Sequence, residues 1–379
     1  MKPRILMVSG NGPPVLDGVA HYTANLMGEL ARQRPAWDWL WLYRRPRWFH
    51  APVRFGQGIR HYRPGHTWGP LGIRLASGTA RWLRPHAIHI QEQVHSFHET
   101  AAAARLARTA PGALLATLHE FHGELPSVRH TRAVVGRATV LIANDRHTAL
   151  RCEQWTGRAA DHTWWSPPNV RPPEPSWQVR TRPHLCVSFG FISALKRLNV
   201  VRQALEPLRA SYPDLRWRIV GPFDPAANAE HAAAARDLAA DWIEFTGGIV
   251  DSHDSRLRTW LGEGAVMLLP FADGASPRRT TLQTAWAFDL PVVTTPPSVP
   301  EPALVHGQNC LLAPLERPAE WGASVSRLFA DPAEATRLKA GGRAAADQFS
   351  WRRLAALHLE QYERILERAP CARRPAQDT

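Results

Sequence analysis

Lysine is nearly missing from this chain: among 46 Lys and Arg residues, only Lys2, Lys196 and Lys339 are lysines. Cysteine is scarce too. Cys152, Cys186, Cys310 and Cys371 lie far apart and form no C-x-x-C pair, which argues against a zinc site or a disulfide framework and leaves them as packing residues. No apolar run approaches the roughly 18 residues of a membrane-spanning helix. The opening MKPRILMVSG reads as a short strand and not as a leader, so a cytoplasmic protein is the expectation. Signatures of metal and nucleophile chemistry are also missing. No His-Glu-x-x-His occurs despite 18 histidines, no Asp-x-Asp triplet occurs, and AHYTANL offers no elbow serine for a hydrolase triad.

What is present is bulk, arginine and alternation. At 379 residues the chain is too long for one ordinary core, and its 44% hydrophobic residues can fill two. The net charge of +13 suggests an anionic partner: nucleic acid, a membrane surface or a phosphorylated substrate. Arginine spread this evenly is explained equally well as a compositional habit of the source genome. A lone lysine in mid-chain therefore stands out.

Short β-branched runs alternate with longer amphipathic ones, the pattern of a parallel sheet flanked by helices. Strands are expected at RILMVSG, DWLWLYR, AIHIQEQ, LLATLHE and TVLIAND. The pattern restarts with LCVSFGF, RWRIVGPF, IEFTGG, VMLLPF and LPVVTT. Between the halves, SPPNVRPPEPSW is too proline-rich for the interior of a helix or sheet. The fold class is thus α/β, with two doubly wound Rossmann-like domains. The expected boundaries are 1–168, a linker at 169–180, a second domain at 181–349, and a docked helix with a frayed tail at 350–379. That helix carries Ser350 as N-cap and an apolar stripe through Trp351, Ala355, Leu359, Tyr362 and Leu366. Ligands of such sheets bind outside the carboxyl ends of the strands, so a cleft between the domains is the expected site.

Three stretches join glycine and charge to a strand end. In GNGPPVLDGVAHYTANLMGEL, Gly18 leads into a helix with Tyr22, Leu26 and Leu30 on one face, where a ligand can approach the backbone closely. In FGFISALKRLNVVRQAL, Gly190 is followed by Lys196 and Arg197 before a helix expected to be capped by Asn199, an arrangement suited to a diphosphate. In DGASPRRTTLQTAWAFDLPVVTT, Ser276 and Pro277 are expected to start a helix crowned by Arg278 and Arg279, again a place for an anion. A solvated basic turn and a capped surface helix are the plainer readings of the last two.

Taken together, GVAHYTANLMGEL, TLHEFH, GFISALKRLNVVRQAL, WRIVGP, EFTGG, LLPFADGASPRRTTLQTAWAFDLPVVTT, VPEPALVHGQNCLLAP and the closing FSWRRL…YERIL stand in the order found in another set of proteins. The chain resembles family-4-like glycosyltransferases of the GT-B fold over almost its whole length. The resemblance implies a nucleoside-diphosphate sugar as donor, bound by the C-terminal domain, and an acceptor glycan, lipid or small molecule bound by the N-terminal domain. It also implies a last helix that crosses back to the first domain, transfer to a hydroxyl with retained configuration, and no metal or other cofactor. By motif, Gly18 lies near the donor phosphates, His119 contacts the transferring sugar and Lys196 neutralises the diphosphate. Asp273, Gly274, Ala275 and Ser276 fall where the family has an acidic residue followed by sugar-binding amides.

The sequence departs from the family in two places. Gln283 stands where the family has the second of two glutamates, ten positions after Asp273 and not eight. Phe191 follows Gly190 where an arginine is usual, and Arg197, Arg278 or Arg279 are the candidates to compensate. These departures keep a second reading open, a catalytically silent GT-B protein that partners another transferase. The basic, aromatic run from Tyr43 to Tyr62, with Trp48 and Phe49, is read first as an acceptor-side loop. Peripheral contact with the inner face of a membrane is its second reading. A basic nucleic-acid-binding protein accounts for the charge but not for two restarting sheets.

Overall fold

The computed structural model describes residues 2–12, 15, 17–44, 58–109, 112–170, 180–247 and 255–368. The chain forms two compact units, one of residues 1–165 with 351–379 and the other of residues 166–350. Most of the proline-rich segment, 171–179, and most of the basic aromatic run, 45–57 with Trp48 and Phe49, lie outside the described residues.

The first unit is built on strands β1 (Arg4–Ser9), β2 (Asp38–Leu42), β3 (Ile59–Tyr62), β4 (Ala87–Glu92), β5 (Ala113–Leu118), β6 (Val140–Ala143) and β7 (His162–Thr163). They form one parallel sheet in the order β3-β2-β1-β4-β5-β6-β7. Helices α1 (Gly18–Gln33), α2 (Pro70–Leu83), α3 (Ala102–Thr109), α4 (Val128–Arg137) and α5 (Arg146–Thr156) make the crossovers. Every residue of β4 is buried, as expected for a central strand covered on both faces. α1 starts where the Asp17 carboxylate accepts the backbone N–H of Val19 at 2.8 Å and of Ala20 at 3.3 Å. It buries Tyr22, Leu26 and Leu30, the expected stripe.

The second unit repeats the design with β8 (Leu185–Phe189), β9 (Arg216–Val220), β10 (Ile243–Phe245), β11 (Val266–Leu269), β12 (Val292–Thr294) and β13 (Leu311–Leu312), ordered β10-β9-β8-β11-β12-β13. Its helices are α6 (Leu198–Leu205), α7 (Ala229–Asp237), α8 (Ser255–Gly262), α9 (Thr280–Ala287), α10 (Pro318–Ala330) and α11 (Pro332–Asp347). All ten expected strand runs contain a strand. β3, β7 and β13 were not anticipated, being short members at or near sheet edges.

The last helix, α12 (Trp351–Arg368), belongs to the first unit. Its Leu354, Ala355, Leu359, Tyr362 and Ile365 join Ile5, Met7, Tyr22, Leu26 and Trp39 in one core. Ile365, not Leu366, completes the buried stripe. At about 1.5–3 kcal/mol for each fully buried aliphatic side chain, Leu354, Leu359 and Ile365 bind this helix firmly to the unit. The Tyr362 hydroxyl also hydrogen-bonds Nδ1 of the fully buried His89 at 2.6 Å.

Candidate functional site

In the second unit the strand order reverses between β8 and β11, and the loops leaving these two strands hold the charged residues. Gly190 follows β8 with φ +121°, a conformation few L residues adopt. A Cβ there would lie 3.1 Å from Cγ2 of Thr281 and 3.5 Å from Nζ of Lys196. The Lys196 ammonium sits over the Phe271 ring, 4.5 Å from its centroid, and the Arg279 guanidinium lies 5.1 Å from the same centroid. Burial pushes the Lys196 ammonium down to about 7; Arg279 adds to the depression and Asp273 opposes it. A backbone bond from Ala272 N–H to the Leu195 carbonyl, 2.9 Å, ties the two loops together.

Asp273 is bound by both Arg278 and Arg279. The resemblance puts Asp273 at the family's acidic position, and Arg278 and Arg279 were expected to crown the helix that follows. The structure makes one cluster of the three, with Arg278 and Arg279 side chains only 10% and 18% exposed. Two guanidiniums, one ammonium and one carboxylate leave an excess of positive charge. The helix start also differs from expectation. Ser276, Pro277 and Arg278 form a turn in which Ser276 Oγ accepts from Arg278 N–H at 3.3 Å, and α9 begins at Thr280 with Arg279 as its N-cap. The arginines thus precede the helix.

Gly274 has φ +83°, and a Cβ on it would lie 2.5 Å from the Ser298 nitrogen, so this turn requires glycine. Ala275 is buried beside it. Gln283 is fully buried, and its Nε2 donates to the Pro277 carbonyl at 2.6 Å. It therefore braces the loop and does not present its amide to solvent. Nε of Arg279, Oγ1 of Thr281 and Oε1 of Gln283 are buried without a hydrogen-bond partner among the described residues. Three such atoms in five residues mark a place where an outside acceptor and donor could bind. Arg197 is elsewhere. It is the N-cap of α6 with φ 44°, displacing Asn199 from that role, and lines a cavity of about 350 Å³ with Ile192, Glu230 and Asp237. Phe191, at the arginine position of the family, is 50% exposed.

In the first unit the order reverses between β1 and β4. Gly18 opens α1, exposed, and a Cβ on it would meet nothing within 4 Å. The loops here are held by Asp17, whose second oxygen accepts from Asn11 Nδ2 at 2.5 Å and from Ser96 Oγ at 2.8 Å. His119, at the end of β5, has both ring nitrogens engaged. Asn144 Nδ2 donates to Nδ1 at 2.6 Å, so Nε2 carries the proton and donates to Gln91 Oε1 at 2.9 Å. Burial pushes this imidazole down to about 4. It is neutral near pH 7, and a sugar hydroxyl can reach a ring nitrogen only by displacing Gln91 or Asn144.

Sequence reasoning missed Asp17, Phe271, Thr281, Gln91 and Asn144. Only Asp17 carried a local signal, a capping residue directly before a helix. Among the described residues no group of three or more His, Cys, Asp and Glu side chains could hold a metal ion. The three described cysteines are buried and free. No helix among the described residues is long and apolar enough to cross a membrane.

Two parallel doubly wound sheets, with a last helix that returns to the first unit, define a GT-B protein. Sucrose-phosphate synthase from Thermosynechococcus elongatus superposes over 97% of this chain and 100% of its own, with TM-score 0.75 and 16% identity. Anabaena HepE, solved with UDP and glucose, covers 95% of this chain and 99% of its own, with TM-score 0.69 and 15% identity. Residues 183–331 match the family model described as glycosyl transferases group 1. D-inositol 3-phosphate glycosyltransferase from Arthrobacter sp. strain FB24 is 27% identical over 314 residues, 76% of this chain and 73% of that protein. The protein of the same name from Pseudarthrobacter chlorophenolicus is 26% identical over 65% of this chain, which spans 61% of that relative's length. The second unit is thus similar to the group 1 glycosyltransferases, and the fold of the chain is that of the GT-B structures.

Proposed function

We propose that the protein moves a glycosyl unit from a nucleoside-diphosphate sugar to an acceptor hydroxyl, with retention at the anomeric carbon and without a metal ion. The observation that carries this is the Lys196, Arg278, Arg279 and Asp273 cluster at the strand-order reversal of the second unit. A diphosphate supplies the negative charge that this cluster lacks, and its oxygens accept from the guanidiniums and the ammonium. That HepE was solved with UDP makes UDP the first nucleotide to test.

In the reaction the acceptor oxygen bonds to the anomeric carbon as the bond from that carbon to the diphosphate oxygen breaks. The leaving phosphate oxygen takes the acceptor's proton. This route needs little acid–base machinery from the protein, in keeping with a neutral, fully engaged His119. Lys196 and the arginines stabilise charge as it builds on the leaving group. Asp273 fixes the arginines.

The test is nucleotide binding followed by turnover. A nucleotide that binds only the folded state, at 100 times its dissociation constant, adds about 2.7 kcal/mol of stability. UDP, GDP and ADP are compared by thermal shift, and the nucleotide that responds is supplied as its sugar with candidate acceptors, with and without EDTA. No response to any nucleotide refutes donor binding. Binding without turnover on any acceptor favours the silent-partner reading.

A further inference from the structure

Helix α2 is turned partly inside out. Its core-facing side carries the small residues Gly72, Ala76 and Ala80 together with Ile73 and Leu83. Three of its large apolar residues point outward: Leu71 is 69% exposed, Leu75 45% and Trp82 73%. With about 3.6 residues per turn, these three fall within about 40° of one another, in a stripe that also includes Gly78. Arg74 and Arg81 are exposed along one flank of the stripe, and Arg84 is exposed at the C-cap. The helix contains no acidic residue, and none of these arginines has a carboxylate partner among the described residues. The Trp82 ring meets Tyr62 of β3 edge-on, with centroids 6.5 Å apart, which steadies it without covering it.

We propose that the outer face of α2 is a docking surface for an anionic lipid bilayer, with Leu71, Leu75 and Trp82 entering the interface and Arg74 and Arg81 meeting lipid phosphates. Charge complementarity selects this occupant. A two-fold copy of the same face would bring arginine stripes close to each other, and a nucleic acid would leave the two leucines without a role. Aliphatic and indole groups flanked by arginine suit the boundary between headgroups and acyl chains, where the indole lies at headgroup level and the guanidiniums reach phosphate. Each basic residue at an anionic surface strengthens binding roughly fivefold, and salt weakens that contribution. The proposal is independent of the donor chemistry.

The experiment is co-sedimentation of the full chain with phosphatidylcholine vesicles, with and without phosphatidylglycerol, at low and high salt. The protein is expected to sediment with the anionic vesicles only, and salt should release most of it. The double variant Leu75→Ser, Trp82→Ser and the double variant Arg74→Glu, Arg81→Glu should each bind at least tenfold more weakly. Because these side chains are exposed, both variants should keep the wild-type melting temperature and nucleotide binding. Failure of the wild type to bind anionic vesicles overturns the proposal. Equal binding by wild type and both variants also overturns it and puts the contact elsewhere. A wild-type dimer that Trp82→Ser dissociates overturns it in favour of a second copy of the chain.

Discussion

Asp273 accepts the guanidinium of Arg279 through both of its carboxylate oxygens while also holding Arg278. A half-buried acid between two largely buried arginines is a brace first and a ligand contact second. Asp273→Asn should keep the fold but cost about 1–3 kcal/mol, because it leaves two guanidiniums with a weaker acceptor. Turnover should fall by at least tenfold as the arginines lose their fixed positions. Thermal melting and steady-state rates check this; a variant with wild-type rates would remove the cluster from the site.

Lys196 gives a pH dependence with a definite sign. Its ammonium is held near 7 in the folded protein against an ordinary 10.5, so between these values the unfolded chain binds the proton and the folded one does not. This group's contribution therefore makes stability rise with pH across that window. Lys196→Met should lack that slope in melting experiments from about pH 7 to 10.

Anion binding acts on Lys196 in the opposite direction. A diphosphate beside it favours the charged form, so binding above pH 7 takes up a proton, and nucleotide affinity falls as pH rises by up to about tenfold per unit. Calorimetry in buffers of different ionisation enthalpy reads the proton directly. Lys196→Met should lose both the affinity and the uptake. An affinity that is flat from about pH 7 to 9 would mean that the diphosphate does not sit on this lysine.

Two glycines separate strain from access. Gly190→Ala forces a Cβ against Thr281 and Lys196 at φ +121°, and should cost about 1–3 kcal/mol while weakening nucleotide binding. Gly18→Ala places its Cβ in open space and should leave the melting temperature unchanged. If Gly18→Ala nevertheless lowers turnover, a substrate approaches the start of α1; wild-type turnover places substrates away from it.

Tyr362→Phe removes the hydroxyl bonded to the buried His89 without changing the packing of the ring. The orphaned nitrogen should cost about 1–3 kcal/mol, with nucleotide affinity unaffected. Chemical denaturation with a parallel binding measurement distinguishes this from a general loss of structure.

The alternation of β-branched and amphipathic runs was enough to locate the central strands, because a strand covered on both faces must be apolar at nearly every position. β3, β7 and β13 escaped because short strands near sheet edges do not carry that demand; β3 reads IRHY. Lys196 and Gly190 were legible as candidates for the site through rarity and through the backbone freedom needed at a strand end. The pairing of Asp273 with both arginines was not, since sequence shows which charges are neighbours and not which of them close on each other. The same holds for Gln91, His119 and Asn144. These residues meet at the ends of three strands and sit too far apart in the chain for any local pattern to link them.

The core shared by Ile5, Trp39 and Tyr362 has a consequence for synthesis. The ribosome releases the first sheet early, but the helix that covers one of its faces emerges only after the whole second unit. During that interval Ile5, Met7, Tyr22 and Trp39 lack their partners on α12 and remain open to chaperones or to neighbouring chains. The second unit, whose residues are contiguous, can finish first. In a pulse-labelled nascent chain, protease resistance should therefore appear in residues 183–331 before it appears in residues 4–163, reversing the order in which they are made.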